Sequence, residues 1–182
     1  MPGADPILLL PTPRRMAVLA GRADVPAGIV ERVASWALRV PIPSDAAEAR
    51  GWLAIDPRDA RIKGEEAYRL AIRPWTAGVS RWPAVEIRAA TDRGASMALR
   101  TLAQLLRQFP TSLPALEIDD EPGFARRGAM LDVSRNKVPT LESLKQAADQ
   151  FAAMKFNHLQ LYTEHTFAYA GHEEAWRGWS PI

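Results

Sequence analysis

The spacing of hydrophobic and polar positions changes period several times along this chain, and each change marks an element. Residues 129–133 form a short apolar run of strand formers broken by Asp132, and Gly128 at its start allows close approach of backbone or ligand. Polar residues follow at once. Pro139-Thr140 then supplies a stop and an N-cap, and Leu141, Leu144, Ala148, Phe151 and Met154 fall on one helical face. After Lys155 the spacing becomes extended, with Phe156, His158, Gln160 and Tyr162 alternating against Asn157, Leu159 and Leu161. Strand, helix and strand in this order predict a βαβ unit whose strands are parallel, joined by a right-handed crossover, and end on the same edge. That edge sets residues 132–136 beside 163–165, and it is where ligands bind in barrels and open α/β sheets alike.

Earlier in the chain, residues 7–10 read as a first strand ended by Pro11 and Pro13. Ile29, Val33, Trp36 and Ala37 share a helical face that ends before Pro41 and Pro43. Residues 52–55 make a short strand stopped by Asp56-Pro57. Residues 68–72 and 85–89 alternate as antiparallel neighbours. A helix opens at Asp92 and runs to about Gln108, with Ala98, Leu102, Leu105 and Phe109 as its buried stripe. Residues 116–118 form a last short strand, and the turn-rich run 119–123 is the boundary between a domain at 1–120 and a second at 121–182.

Composition narrows the classes without choosing among them. The 182 residues, 47% hydrophobic, suffice for one core or for one domain and part of another. A net charge of +2, with no basic run interleaved with aromatics, excludes a nucleic-acid binder. The absence of Cys excludes disulfides and thiolate metal sites. The apolar run at 7–10 is too short for a signal peptide or a membrane span, which predicts no membrane partner and a cytoplasmic location if the N-terminus is the native one. His165 and His172, with Glu173 and Glu174, fit no ligand spacing for a metal.

The run Arg126-Arg-Gly-Ala-Met-Leu-Asp-Val-Ser-Arg135, followed by Leu144-Lys145 and by Met154-Lys-Phe-Asn-His-Leu-Gln-Leu161, resembles glycoside hydrolase family 20, the β-N-acetylhexosaminidases. The resemblance is close over 127–161 and looser elsewhere, where Glu66-Ala-Tyr-Arg-Leu70 and Thr101-Leu-Ala-Gln-Leu-Leu106 match the first domain. It implies an α/β protein in which an N-terminal α+β domain precedes a (β/α)8 TIM barrel, with 128–162 as the first βαβ unit of that barrel. Such a barrel takes about 250 residues, and only 55 remain from Gly128 onward, so the chain is expected to be a fragment. The resemblance further implies a partner glycan containing N-acetylhexosamine, and no cofactor. Cleavage would be retaining hydrolysis with the substrate's acetamido oxygen as nucleophile, an exception to two-carboxylate catalysis. The catalytic Asp-Glu pair of the family lies on a later strand, so this chain is expected to hold no catalytic residue. Asp120-Glu121 has those letters but precedes the first barrel strand.

The resemblance places at Arg127 an arginine that binds hydroxyls of the terminal sugar; an ion pair with Asp132 or Glu164 is the structural alternative. Asp132, inside an apolar run, needs a cation or backbone donors, which Arg127 or Arg135 can supply, so Asp132 and Arg135 read as bracing residues. Glu164 and His165 stand where family members carry an acidic pair, and Asn136 replaces a frequent histidine. Trp176 and Trp179 suit the apolar face of a pyranose, or loop packing. Two other readings remain open: a noncatalytic carbohydrate-binding or protein-docking module, and a related glycosidase acting on another sugar. The oligomeric state is not legible.

Overall fold

The computed structural model describes residues 6–49, 51–135, 138–164 and 168–179. The chain divides into two compact units, Met1–Gly123 and Phe124–Ile182. The first contains β1 (Arg15–Asp24), α1 (Ile29–Trp36), β2 (Leu53–Asp56), β3 (Tyr68–Ile72), β4 (Val85–Ala89), α2 (Asp92–Gln108) and β5 (Ser112–Asp120). Its sheet has the order β1-β5-β3-β4-β2, with β2 parallel to β4 and the other pairs antiparallel. Leu70, Ile72, Val85, Ile87, Leu116 and Ile118 are buried in one core with Val33 and Trp36 of α1 and with Leu99, Leu102, Leu105 and Leu106 of α2. The intervening positions of the strands carry charge instead. Arg69 of β3 pairs with Glu117 of β5 at 3.0 Å across the strands, and Arg88 pairs with Glu86 two residues earlier on β4, so opposite charges are neighbours on the polar side.

Sequence and structure part company at both ends of this unit. Residues 7–10 are extended but belong to no sheet, whereas the strand lies at Arg15–Asp24. The reason is the source of the hydrogen bonds. Gln108 accepts from Leu8 N–H at 2.9 Å and donates to Leu8 C=O at 2.6 Å, and Gln104, one turn earlier on α2, does the same for Leu10 at 2.8 and 2.7 Å. Two side-chain amides thus stand in for a neighbouring strand, while Leu9 is buried in the core. β1 escapes the pattern because it is an edge strand, exposed along most of its length, and bulges between Val18 and Arg22. Gly21 sits in that bulge at φ 98°, and a Cβ there would stand 2.6 Å from Pro74 Cγ.

β5 runs over nine residues where the pattern suggested 116–118. Pro114 argues against a central strand, yet it is tolerated here because it lies beyond the stretch paired with β3 and at the edge of the β1 bulge. α2 opens at Asp92 as the pattern predicts, and Thr91 before it is the N-cap, its hydroxyl accepting from Gly94 N–H at 3.2 Å. The end of α1 is also closed from α2. Buried Arg100 donates to Ala37 C=O at 3.0 Å, placing a cation at the negative end of the helix.

The second unit contains β6 (Gly128–Asp132), α3 (Leu141–Ala153), β7 (His158–Tyr162) and the short α4 (Glu173–Trp176), which the pattern did not announce. β6 and β7 are parallel, in register from Gly128 opposite His158 to Asp132 opposite Tyr162. Thr140 caps α3 by accepting from Ser143 N–H at 3.2 Å. Its apolar stripe is only half covered: Leu144 and Phe151 are partly buried, while Leu141 remains 68% exposed. Among the described residues, β6 and β7 pair only with each other.

If the glutamine amides hold the extended segment, Gln104→Leu should destabilise the protein by about 1–2 kcal/mol, since two backbone groups lose their partners. Hydrogen exchange at Leu10 should accelerate more than at the core of β3; unchanged protection of Leu10 would contradict the assignment.

Candidate functional site

Parallel pairing brings the exits of β6 and β7 together, and the side chains there close a ring. Beyond Asp132 the chain turns so that Ser134 N–H and Ser134 Oγ both donate to Asp132 Oδ1, each at 2.9 Å. Asp132 Oδ2 takes Arg135 Nε, and the same nitrogen stands 3.2 Å from Glu164 Oε2. Glu164 N–H in turn donates to Ser134 Oγ at 2.7 Å, and Val133 N–H to Tyr162 C=O at 2.9 Å. The Arg135 guanidinium also lies over the Tyr162 ring, 5.9 Å from its centroid.

The ring is electrostatically matched and partly open. The Ser134 backbone N–H, then the Arg135 guanidinium, hold the Asp132 carboxyl down at about 2. Asp132, with Glu164 behind it, pushes the Arg135 guanidinium up. Ser134 is buried, whereas the Arg135 and Glu164 side chains are 58% and 46% exposed. A bracing carboxylate therefore sits beneath a cation and an acid that both reach solvent. That arrangement offers a fork of donors and an acceptor to neighbouring hydroxyl groups.

Arg127 occupies the opposite edge. It precedes β6, where its C=O accepts from Asn157 N–H at 2.9 Å and His158 N–H at 3.1 Å, and the run from there to Asp132 spans about 17 Å. Its guanidinium donates to Lys155 C=O from Nε at 3.0 Å and Nη2 at 2.9 Å, and to Phe124 C=O from Nη1 at 2.7 Å. These partners are backbone carbonyls. Lys155 is the residue that ends α3. At φ 64° it takes the left-handed position usually given to glycine, its N–H donating to Ala152 C=O and that of Phe156 to Phe151 C=O. Stacking of Phe151 on Phe156, centroids 5.5 Å apart, completes this Schellman turn. Asn157 locks the same edge by accepting from Arg127 N–H at 2.9 Å and donating to Ala125 C=O at 2.8 Å. The close approach foreseen at Gly128 is to backbone: a Cβ there would overlap the His158 carbonyl oxygen and stand 2.8 Å from His158 Cβ.

The remaining candidates are placed as follows. His165 and Asn136 lie outside the described residues. Trp176 ends α4 half-buried, its Nε1 donating to Tyr169 C=O at 2.9 Å, while Trp179 is 72% exposed. His172 Nδ1 lies 3.7 Å from Glu174 Oε1, and among the described residues no three potential metal ligands converge. The sequence reading missed Ser134, Asn157 and Tyr162. Only the position of Ser134, two residues after an acid at a strand exit, carried a signal, that of an Asx-type turn.

The family model described as glycosyl hydrolase family 20, domain 2, matches residues 20–121, from within β1 to just past β5. The chain belongs to glycosyl hydrolase family 20. Among its relatives, N,N'-diacetylchitobiase of Vibrio harveyi is 30% identical over 170 residues, covering 85% of this chain and 18% of that protein. β-Hexosaminidase of Porphyromonas gingivalis is 32% identical over 102 residues, 51% of this chain and 12% of that protein. The solved Streptomyces plicatus N-acetyl-β-hexosaminidase in complex with Thio-NAglucal has the same fold, at TM-score 0.64 and 22% identity, over 86% of this chain and 34% of that one. The chain thus spans between about a tenth and a third of the length of these family 20 relatives.

The Asp132 carboxyl should titrate near 2 by NMR, against about 4 in an unfolded chain. A depressed folded value stabilises the unit fully above about pH 4 and loses that contribution as pH falls toward 2. Arg135→Gln should move the midpoint upward; an unmoved midpoint would contradict the pairing.

Proposed function

We propose that the whole protein is a glycoside hydrolase of the β-N-acetylhexosaminidase type, removing terminal N-acetylhexosamine from a glycan with retention. In this reading the second unit opens a (β/α)8 TIM barrel, and the first is the α+β domain that precedes it. The catalytic Asp-Glu pair stands on a later strand outside this chain. The chain supplies part of the sugar pocket: Arg135, Glu164 and His165 bind hydroxyls, and Trp176 offers an aromatic face. Asp132 holds Arg135 in place.

The observation that carries this reading is the ring of Asp132, Ser134, Arg135 and Glu164 at the shared strand exit of a family 20 chain. Ligands bind at that edge in parallel α/β folds because the strand ends and their loops converge there. The relatives' names support the substrate class, and the solved Streptomyces plicatus protein has also been seen in complex with the product GlcNAc. Arg127 receives a different role from the one its motif implies. Its donors are engaged by the Lys155 and Phe124 carbonyls at the far edge, so it braces the turn into β7.

The full-length protein should hydrolyse an aryl N-acetyl-β-glucosaminide, and the 182-residue chain alone should not. A panel of other aryl glycosides, cleaved in its place, would reassign the sugar. Arg135→Ala should raise KM about ten- to hundredfold, as loss of charge-assisted hydrogen bonds of about 1.5–3 kcal/mol predicts. Arg127→Ala should instead lower stability by a similar amount, with KM nearly unchanged at temperatures where the variant is folded. The reverse pattern, a KM effect from Arg127 and none from Arg135, would return the sugar contact to Arg127.

A further inference from the structure

We infer that Ser134 is a positioning residue that sets the sugar-binding geometry of Arg135 and Glu164 through a single hydroxyl; this rests on the proposed pocket edge and deepens it. The ring contains one neutral side chain. Ser134 is buried at 7% exposure while the charged members reach solvent, so the hydroxyl is the inner anchor of an outward-facing cluster. The direction of its hydrogen bonds leaves no ambiguity. The Glu164 backbone N–H can only donate and the Asp132 carboxylate can only accept, so Ser134 Oγ accepts from the first at 2.7 Å and gives its proton to the second at 2.9 Å.

This geometry ties two strand exits that backbone pairing leaves apart. The ladder of β6 with β7 ends at Asp132 opposite Tyr162, followed by one further bond from Val133 N–H to Tyr162 C=O. Beyond it, Ser134 Oγ supplies the next link, joining the residue two past β6 to the residue two past β7. Because Arg135 and Glu164 are the neighbours of those linked atoms, the distance between guanidinium and carboxylate, 3.2 Å here, follows from the position of the hydroxyl. A sugar bridging the two charged groups needs that spacing to be set before it arrives; otherwise binding must first order both side chains.

The test uses the full-length enzyme with an aryl N-acetyl-β-glucosaminide, reading kcat, KM and Tm for Ser134→Ala, Ser134→Thr, Arg135→Lys and the double variant S134A/R135K. The expected result is a KM raised about tenfold by Ser134→Ala, equivalent to ~1.4 kcal/mol, with kcat within about threefold as for lost uniform binding. Threonine, which keeps the hydroxyl, should restore KM. The double variant should be less than additive, because both changes act on one contact set. If Ser134→Ala does not fold, Ser134→Cys, close in size but a weak hydrogen-bonding group, reads the same parameter. A lowered Tm with unchanged KM, alongside a raised KM in Arg135→Lys, would overturn the positioning role and leave the pocket edge standing. Unchanged KM in both Arg135→Lys and Glu164→Gln would overturn the pocket edge and this inference with it.

Discussion

Backbone N–H and C=O groups need partners wherever the chain leaves a helix or strand, and in this protein side chains supply them at several such places. Gln104 and Gln108 pair the extended residues Leu8 and Leu10. Arg100 closes the end of α1 on the Ala37 carbonyl. Arg127 holds the carbonyl of Lys155, whose left-handed backbone ends α3 and starts the turn into β7. Ser134 takes the N–H of Glu164, two residues past the end of that strand. The same requirement shapes both units, and in each the partner comes from a residue distant in sequence.

In the second unit this requirement divides the labour between the two sheet edges. The edge where the strands begin is built from Arg127, Asn157 and the Lys155 carbonyl, all engaged with backbone, and Gly128 lets the strands approach there. At the exit edge, among the described residues, a hydroxyl and one carboxylate serve structure, and Arg135 and Glu164 reach solvent. Parallel strands make this separation possible, because both begin at one edge and both end at the other.

Much of the fold was legible along the chain. β3, β4, α2, β6, α3 and β7 follow directly from period two or period 3.6, and the caps at Thr140 and the stops at Pro41 and Pro43 are local chemistry. The readings that failed share one cause. Residues 7–10 have strand character but bond to amides on α2, β1 is an exposed edge with a bulge, and β5 extends past 116–118 where it pairs with β1. Each depends on which distant segment lies alongside. The charged candidates were visible as residue types, and Asp132 with Arg135 as a bracing pair, but the bonds from Arg127 to the Lys155 carbonyl were not.

By itself, then, the sequence determined β6, α3 and β7, the parallel direction of the two strands and therefore which residues share an exit edge, because periodicity and crossover length are local properties of the chain. It also carried the motif that resembles family 20. Only the tertiary structure decided that Arg135 pairs with carboxylates while Arg127 donates to backbone carbonyls, since the backbone from Arg127 to Asp132 runs about 17 Å from one edge of the strands to the other. Ser134 belongs to the same class. Its hydroxyl gains meaning from Glu164, thirty residues on, which no local pattern connects to it.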